Sequence, residues 1–384
     1  MLQSAVSSGL SPRRLRFSTL TLILTDRCNY RCSYCYQRKS DRELPIPALT
    51  KTVDFIFPLL TRICYINFYG GEPLLGFDRL RRTVSRFERL NRDGKRRIRY
   101  SLSTNGSLLE EEVLRFLDEH AFTLLLSFDG SAQDKCREKG SFRRLVALIP
   151  KILERPRIRL ETNSVFTAET IRHLSPSIEL LLHLGVPRIH AGFTSRVKWS
   201  PASYELLKKE MAAVRSSFLG RFERRVDVPW VEMAQPDRKG ILRCDAGREQ
   251  LALAADGRLW GCFLFPHYFD GKERDPGGRK YCFGAVEAFV ADPEAIYAKT
   301  MRAIAGLGMA SSRTPEKSCV FCGEIRSCWV CPLAAAFASG TLGEITAGTC
   351  ELTRTIRQEK ELFKKAFREK RRASGSCVRT ARSS

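Results

Sequence analysis

Residues 17–37 read Phe-Ser-Thr-Leu-Thr-Leu-Ile-Leu-Thr-Asp-Arg-Cys-Asn-Tyr-Arg-Cys-Ser-Tyr-Cys-Tyr-Gln. Apart from one serine, the first eight residues are apolar or β-branched, as in a buried strand. The strand runs into three thiols, Cys28, Cys32 and Cys35, within eight residues. Thiolates crowded in a loop behind a strand are expected to hold a metal or an inorganic cluster.

From Arg16 to about Leu219 the same strand pattern recurs. Strands are expected at Phe17–Leu24, Ile63–Tyr69, Ile98–Ser103, Thr123–Ser127, Arg157–Val165 and Arg188–Phe193. Helical patterns follow each, at Ile46–Leu60, Phe77–Arg92, Leu109–Glu119, Phe142–Glu154, Ala168–Leu184 and Pro201–Phe218, with polar or Gly/Pro breaks between. Alternating strand and helix imply a parallel sheet. Six units fall short of a closed eight-stranded barrel, so an α/β fold with a partial (β/α)6 TIM-like barrel is expected over residues 15–219, its functional loops at the C-terminal strand ends. Residues 220–240 read as a linker. A small cysteine-rich domain follows at 241–355, with a hairpin turning at Asp256-Gly257. In the basic C-terminal helix and tail, 356–384, Phe363 and Phe367 continue a helical stripe begun by Leu352 and Ile356.

With 384 residues, 43% hydrophobic and 28% charged, the chain is not disordered, fibrous or a coiled coil. No apolar run approaches the ~20 residues of a membrane span, and the segment before Phe17 lacks the apolar core of a secretory signal, so a cytoplasmic protein is expected. Its 14 cysteines then point to metal or catalysis rather than disulfides. The net charge is +23. Ten Lys or Arg against two acids between Arg79 and Arg99, and eleven against three from Arg354 on, carry most of it. Without an aromatic-interleaved motif, nucleic acid is disfavoured as a partner.

The Cys28-x3-Cys32-x2-Cys35 run, with Tyr34 before the last cysteine, resembles the signature of the radical SAM superfamily. Gly70-Gly71-Glu72-Pro73 after the second strand, Thr104-Asn105-Gly106 after the third and Ser127-Phe128-Asp129-Gly130 with Asp134 and Arg137 after the fourth are similar to that family's further motifs. The resemblance implies a [4Fe–4S] cluster on Cys28, Cys32 and Cys35, with one iron left for S-adenosyl-L-methionine (SAM). It further implies that Tyr34, Gly70, Gly71, Glu72, Asn105, Ser127 and Arg137 surround SAM, Ser127 near the cofactor and Arg137 near its carboxylate. Two glycines suit a close approach of ligand to backbone. One-electron reduction would cleave SAM to methionine and a 5′-deoxyadenosyl radical that takes hydrogen from a substrate. The alternative for the triplet alone is a structural zinc or a chance spacing.

Seven further cysteines resemble the SPASM pattern found behind such barrels in the peptide- and protein-modifying branch: Cys244, Cys262, Cys319, Cys322, Cys328, Cys331 and Cys350. One turn departs from it, since only Trp329 and Val330 separate Cys328 from Cys331 where three residues are usual. The resemblance implies two auxiliary Fe–S clusters, of the [4Fe–4S] type. Cys319, Cys322, Cys328 and Cys350 would hold the outer one. Cys244, Cys262 and Cys331 would hold the inner, which lacks a fourth ligand. Cys282 is a candidate for that place, or one iron stays open to substrate. A zinc-binding quartet is the competing reading. Cys64, Cys136 and Cys377 match no ligand position, and His267 is the one histidine near the set.

The implied activity is that of an oxidoreductase that abstracts hydrogen from a ribosomally made peptide or protein and leaves an oxidative modification or crosslink. An RNA-modifying enzyme is the alternative. Sulfatase maturation is disfavoured because Phe263 stands directly after Cys262, where that subfamily carries an Asp. A reductant such as flavodoxin or ferredoxin is implied as partner. With about sixteen residues ahead of the first strand, either a separate leader-recognition protein delivers the peptide or the basic 79–99 segment grips an acidic leader.

Overall fold

The computed structural model describes residues 15–236, 240–272 and 275–380. The signal-peptide reading of the N-terminus, part of the proposed linker, the end of the basic tail and the Cys377 side chain fall outside that description. Six parallel strands form the first part: β1 (Phe17–Ile23), β2 (Leu60–Tyr69), β3 (Arg97–Thr104), β4 (Thr123–Ser127), β5 (Arg159–Phe166) and β6 (Ile189–Phe193). The helices between and after them are α1 (Ile46–Ile56), α2 (Phe77–Leu90), α3 (Glu111–Glu119), α4 (Ser141–Leu153), α5 (Leu174–His183) and α6 (Pro201–Arg221). All six expected strands are present. They agree within three residues at each end, because alternation along β2 to β5 is unambiguous. Cys64, Ile66 and Phe68, like Tyr100 and Leu102 or Leu124 and Leu126, are buried on the helix side. On α2 the buried set is Leu80, Thr83, Val84 and Phe87, one stripe of the helix with arginines opposite.

The sheet does not stop at the 220–240 connection. β7 (Gln250–Leu253) pairs parallel with β1, and β8 (Arg258–Trp260) and β9 (Cys282–Ala285) continue antiparallel, giving nine strands in the order β6-β5-β4-β3-β2-β1-β7-β8-β9. The hairpin turns at Asp256-Gly257, where Gly257 has a φ of 78°. One hydrophobic core runs from Phe17 to Phe367, while a satellite of six residues, Met309, Cys319, Ile325, Val330, Ala335 and Ile345, packs apart from it. Helix α7 (Leu264–Phe269) follows Cys262, α8 (Pro332–Ser339) follows Cys331, and α9 (Ala347–Thr380) carries Cys350 in its first turn. Phe363 of α9 meets Phe218 of α6 edge-on at 5.7 Å, and Arg215 pairs with Glu359 at 2.9 Å. Among the described residues no helix is long and apolar enough to cross a membrane.

Candidate active site

The loop carrying Cys28, Cys32 and Cys35 is closed at its base by the backbone. Leu44 N–H donates to the Leu24 carbonyl at 2.9 Å and Asp26 N–H to that of Arg42 at 3.0 Å. The Arg42 guanidinium reaches both Asp26, at 2.7 Å, and Asp270, at 2.5 Å. Asn105 Nδ2 donates to Asn29 Oδ1 at 2.9 Å, and Asn29 Nδ2 to Ser107 Oγ at 2.8 Å. The cysteine loop is therefore tied to the turn after β3. Its far side is held by Ser33 N–H on the Cys136 carbonyl at 2.8 Å.

The glycine pair serves a purpose beyond the one expected from sequence. A Cβ on Gly70 (φ 147°) would lie 2.4 Å from the Thr25 carbonyl oxygen, and one on Gly71 would lie 2.1 Å from that of Arg27. It is the cysteine loop itself that approaches so closely, with Gly71 N–H and Glu72 N–H donating to Thr25 and Arg27 at 2.9 and 2.8 Å. Both glycines also line the cavity described below, whereas Glu72 lies fully buried behind its wall. Its carboxylate accepts from Thr104 Oγ1 and Asn105 N–H, both at 2.8 Å, and from Leu74 N–H at 3.1 Å. Burial nonetheless pushes its pKa up to about 7. The Glu72 carboxylate thus positions the turn after β3.

After β4, Asp129 joins two expected site residues. It is fully buried and accepts from Arg137 through Nε at 2.8 Å and Nη2 at 3.1 Å, from Tyr34 O–H at 2.5 Å and from Val165 N–H at 2.9 Å. The guanidinium lies over the Tyr34 ring at 5.3 Å. Desolvation lowers the pKa of Arg137 but Asp129 outweighs it and holds it well above its usual value, whereas burial and Asp129 together raise that of Tyr34.

These elements surround a cavity of about 450 Å³ at the C-terminal strand ends. Cys28, Cys32, Cys35, Tyr34, Gly70, Gly71, Asn105, Ser127 and Arg137 all line it. From the opposite side come Cys331 and the apolar Leu264, Val330, Ala334, Ala335 and Phe337. Its charged lining residues are all cationic: Lys39, Arg137 and Arg196. Tyr36 and Tyr69, which sequence reasoning passed over, share a hydrogen bond of 2.7 Å between their hydroxyls. Asp129 was also passed over, although it lies inside the quoted Ser127–Gly130 motif.

The remaining cysteines fall into two groups. Cys244, Cys262 and Cys331 lie in one another's electrostatic field, as do Cys319, Cys322, Cys328 and Cys350. Cys28, Cys32 and Cys35 form a third such group. Burial raises Cys262 to about 12 and Cys350 to about 11, so these thiols need a bound cation to persist as thiolates. Among the described residues no three His, Cys, Asp or Glu converge on a site for a single metal ion. A donor set made of thiols alone suits iron–sulfur clusters. Tyr69 feels both Cys35 and Cys262, and its ring packs on Phe263 at 5.0 Å, so it stands between two of the groups.

Cys282 is not brought to the inner group. Its thiol donates to the Leu259 carbonyl at 3.4 Å and accepts from Gly284 N–H at 3.2 Å, knitting β8 to β9. His267 is buried against Tyr36 and Tyr69, with its pKa lowered to about 4 by burial and no hydrogen-bond partner for Nε2 among the described residues. The charged groups that act on it are Asp270 and Arg42, not cysteines. Of the basic 79–99 segment, Arg79, Arg81, Arg82 and Arg86 are paired with Glu43, Glu112, Asp78 and Asp54. Most of α2 is therefore a neutralised face.

Residues 22–181 match the radical SAM superfamily. The chain is 30% identical over 165 residues, 39% of its length and 44% of the relative's, to a cysteine-type anaerobic sulfatase-maturating enzyme of Clostridium novyi. Over 132 residues it is 25% identical to the radical SAM cyclopropyl synthase TigE of Paramaledivibacter caminithermalis, covering 30% of this chain and 27% of that one. The matched region spans less than half of these curated relatives. In fold the chain is similar to native anSMEcpe with bound AdoMet, with a TM-score of 0.69 at 17% identity over 92% of this chain and 99% of that one. It is also similar to Streptococcus suis SuiB bound to precursor peptide SuiA, with a TM-score of 0.55 at 15% identity over 88% and 76%.

Proposed function

We propose, from the match of residues 22–181 to the radical SAM superfamily, that the chain is an enzyme that reductively cleaves SAM and abstracts hydrogen from a ribosomally made peptide or protein. The observation that carries this reading is a cavity walled both by the Cys28–Cys32–Cys35 loop and by Cys331 with its apolar neighbours. A [4Fe–4S] cluster on Cys28, Cys32 and Cys35 would supply the electron for SAM cleavage, and clusters on the other two groups would take up the second electron of an oxidation.

The chain's own residues do the rest. Gly70 and Gly71 present backbone without side chains, and Arg137, fixed by Asp129, offers a cation to a carboxylate. Ser127 and Asn105 add polar groups on neighbouring strand ends. Val330, Ala334, Ala335 and Phe337 keep the opposite wall apolar, which limits the water available to quench a radical. The fold-level likeness to SuiB, which binds the precursor peptide SuiA, supports a peptide substrate.

The likeness to sulfatase-maturating enzymes favours a second reading, oxidation of a protein side chain. Phe263 weighs against it. Its ring packs on Tyr69 directly after Cys262, and the described residues lining the cavity include no carboxylate to act as a base there.

Anaerobic reconstitution with iron and sulfide, then reductant and SAM, is expected to yield 5′-deoxyadenosine and about twelve irons per chain for three cubanes. Continued 5′-deoxyadenosine formation by Cys32→Ala would overturn the proposal.

A further inference from the structure

The face of the sheet that lines the cavity can be followed to its other end. On β2 and β3 Tyr69, Ser103 and Thr104 line the cavity, Tyr69 and Ser103 from the face opposite the helices. Six residues earlier on the same face stand Ile63 and Arg97, about 20 Å below at strand rise. Arg97 is in register with Ile63, and Arg99 with Tyr65. On β5 the same face ends in Arg159, beside Thr123 of β4.

This lower mouth is unlike the rest of the sheet. Ile63 is 47% and Tyr65 42% exposed, although both sit on β2, whose other face is buried at Cys64, Ile66 and Phe68. Arg97 and Arg159 are exposed, and Arg99 lies beneath the Tyr65 ring at 5.9 Å. Among the described residues none of these three arginines meets a carboxylate, and Arg99 Nε is buried without a hydrogen-bond partner. The carboxylate that shares this face, Glu161, is already neutralised by Arg188 at 2.7 Å and His190 at 2.9 Å. By contrast, four arginines of the neighbouring α2 region are ion-paired.

Unpaired cations around exposed aliphatic and aromatic side chains are complementary to a chain that mixes acids with apolar residues. We propose that the lower mouth of the barrel, built from Ile63, Tyr65, Arg97, Arg99 and Arg159, docks an acidic segment of the peptide substrate outside the part that is modified. The inference rests on the reading of a peptide as substrate and deepens it by locating recognition about 20 Å from the chemistry, at the opposite strand ends. A peptide is preferred to RNA because Ile63 offers nothing to a phosphate or a base edge, whereas an acidic leader with spaced leucines uses every group present.

The test is fluorescence anisotropy of the full-length protein with a fluorescein-labelled peptide of about sixteen residues, glutamate with leucine at every fourth position. Binding is expected at low salt and should weaken about tenfold or more on raising ionic strength to ~0.3 M. Arg97→Glu/Arg99→Glu should weaken it about tenfold or more, while Arg89→Glu/Arg92→Glu, an equal change of net charge on and beside α2, should weaken it less than about threefold. The milder Arg97→Gln/Arg99→Gln pair should give an intermediate loss and guards against misfolding, which far-ultraviolet circular dichroism detects. Equal losses in both Glu pairs would mean a general charge field and overturn the site. So would tighter binding of a labelled uridine oligonucleotide that is lost in the same variants, or absence of peptide binding at low salt. Measuring 5′-deoxyadenosine on the same preparations separates this failure from failure of the enzyme reading.

Discussion

The two ends of the metal-binding apparatus are supported by different means. The first cysteine loop rests on protein. Its base is closed by backbone pairing, its flank by Asn29, Asn105 and Ser107, and its neighbours by the buried carboxylates Glu72 and Asp129. The outer group, Cys319, Cys322, Cys328 and Cys350, has less apolar support and is held mainly by polar ties, such as those of Glu324 to Arg354 and Arg357 of α9. Its turns at Cys319–Phe321 and Ile325–Ser327 are single 3-10 turns, and only the six-residue satellite core lies beneath them. The difference teaches where a bound cluster contributes to folding: a segment with so few buried apolar groups needs metal coordination to offset its ordering entropy. The barrel does not.

The largest effect that would break this contrast is metal removal. Treating the reconstituted protein with an iron chelator under anaerobic conditions is expected to expose Arg313, Lys317 and Arg326 to trypsin at a rate about tenfold or more above that of the loaded protein. The barrel should stay intact, and α9 should remain attached through Phe363 and Glu359. Equal protection with and without metal would show that the outer segment holds itself up. Early cleavage within β1 to β6 would show that the barrel depends on metal too.

The second test strikes the protein-made support. Asp129 is fully buried and the Arg137 side chain only 7% exposed, so the pair is shielded from solvent. Asp129→Asn leaves a buried guanidinium without its counter-charge and is expected to cost about 3–5 kcal/mol in urea unfolding of the apoprotein. Asp129→Asn/Arg137→Gln should recover part of that loss, because both charges are then gone. A single-variant loss below about 1 kcal/mol would mean that the pair is solvated in solution.

How much of this could be read beforehand follows the same division. Strands β1 to β6 were legible because alternation and apolar runs are local signals, and Thr123–Ser127 agrees to the residue. The continuation of the sheet into β7 was not. Pairing of Gln250–Leu253 with β1 joins residues more than 200 positions apart, and nothing local in either strand names its partner. The cysteine groups were legible from spacing together with family resemblance, whereas Cys282 could be placed only by seeing its thiol bonded between β8 and β9. The direction taken by the Glu72 side chain was not legible for a related reason. A motif tells which residues stand near a site but not which of them turn away from it, and only its three hydrogen-bond donors reveal that its carboxylate is spent on the protein. The basic 79–99 segment looked uniform in sequence. Its partners Glu43, Asp54 and Glu112 come from other elements and divide it into a neutralised helix and an unpaired strand end.

The smallest expected effect sharpens the contrast rather than breaking it. Glu72 has its folded pKa raised to about 7 from the ordinary 4.5, so the folded state binds a proton more tightly than the unfolded one. The stability this contributes is full below about pH 4.5 and is lost as pH rises through about 7, a change of roughly 3 kcal/mol that levels off above it. Glu72→Gln, which stays neutral, should remove that slope: the gap between variant and native stability in urea should move in the variant's favour by up to about 3 kcal/mol between pH 5 and pH 8. Parallel pH profiles would mean that Glu72 is charged throughout, its three donors outweighing burial. In that case its carboxylate would act on the turn at Thr104 and Asn105 as a fixed anion, and the protein-made half of the site would be insensitive to pH near neutrality.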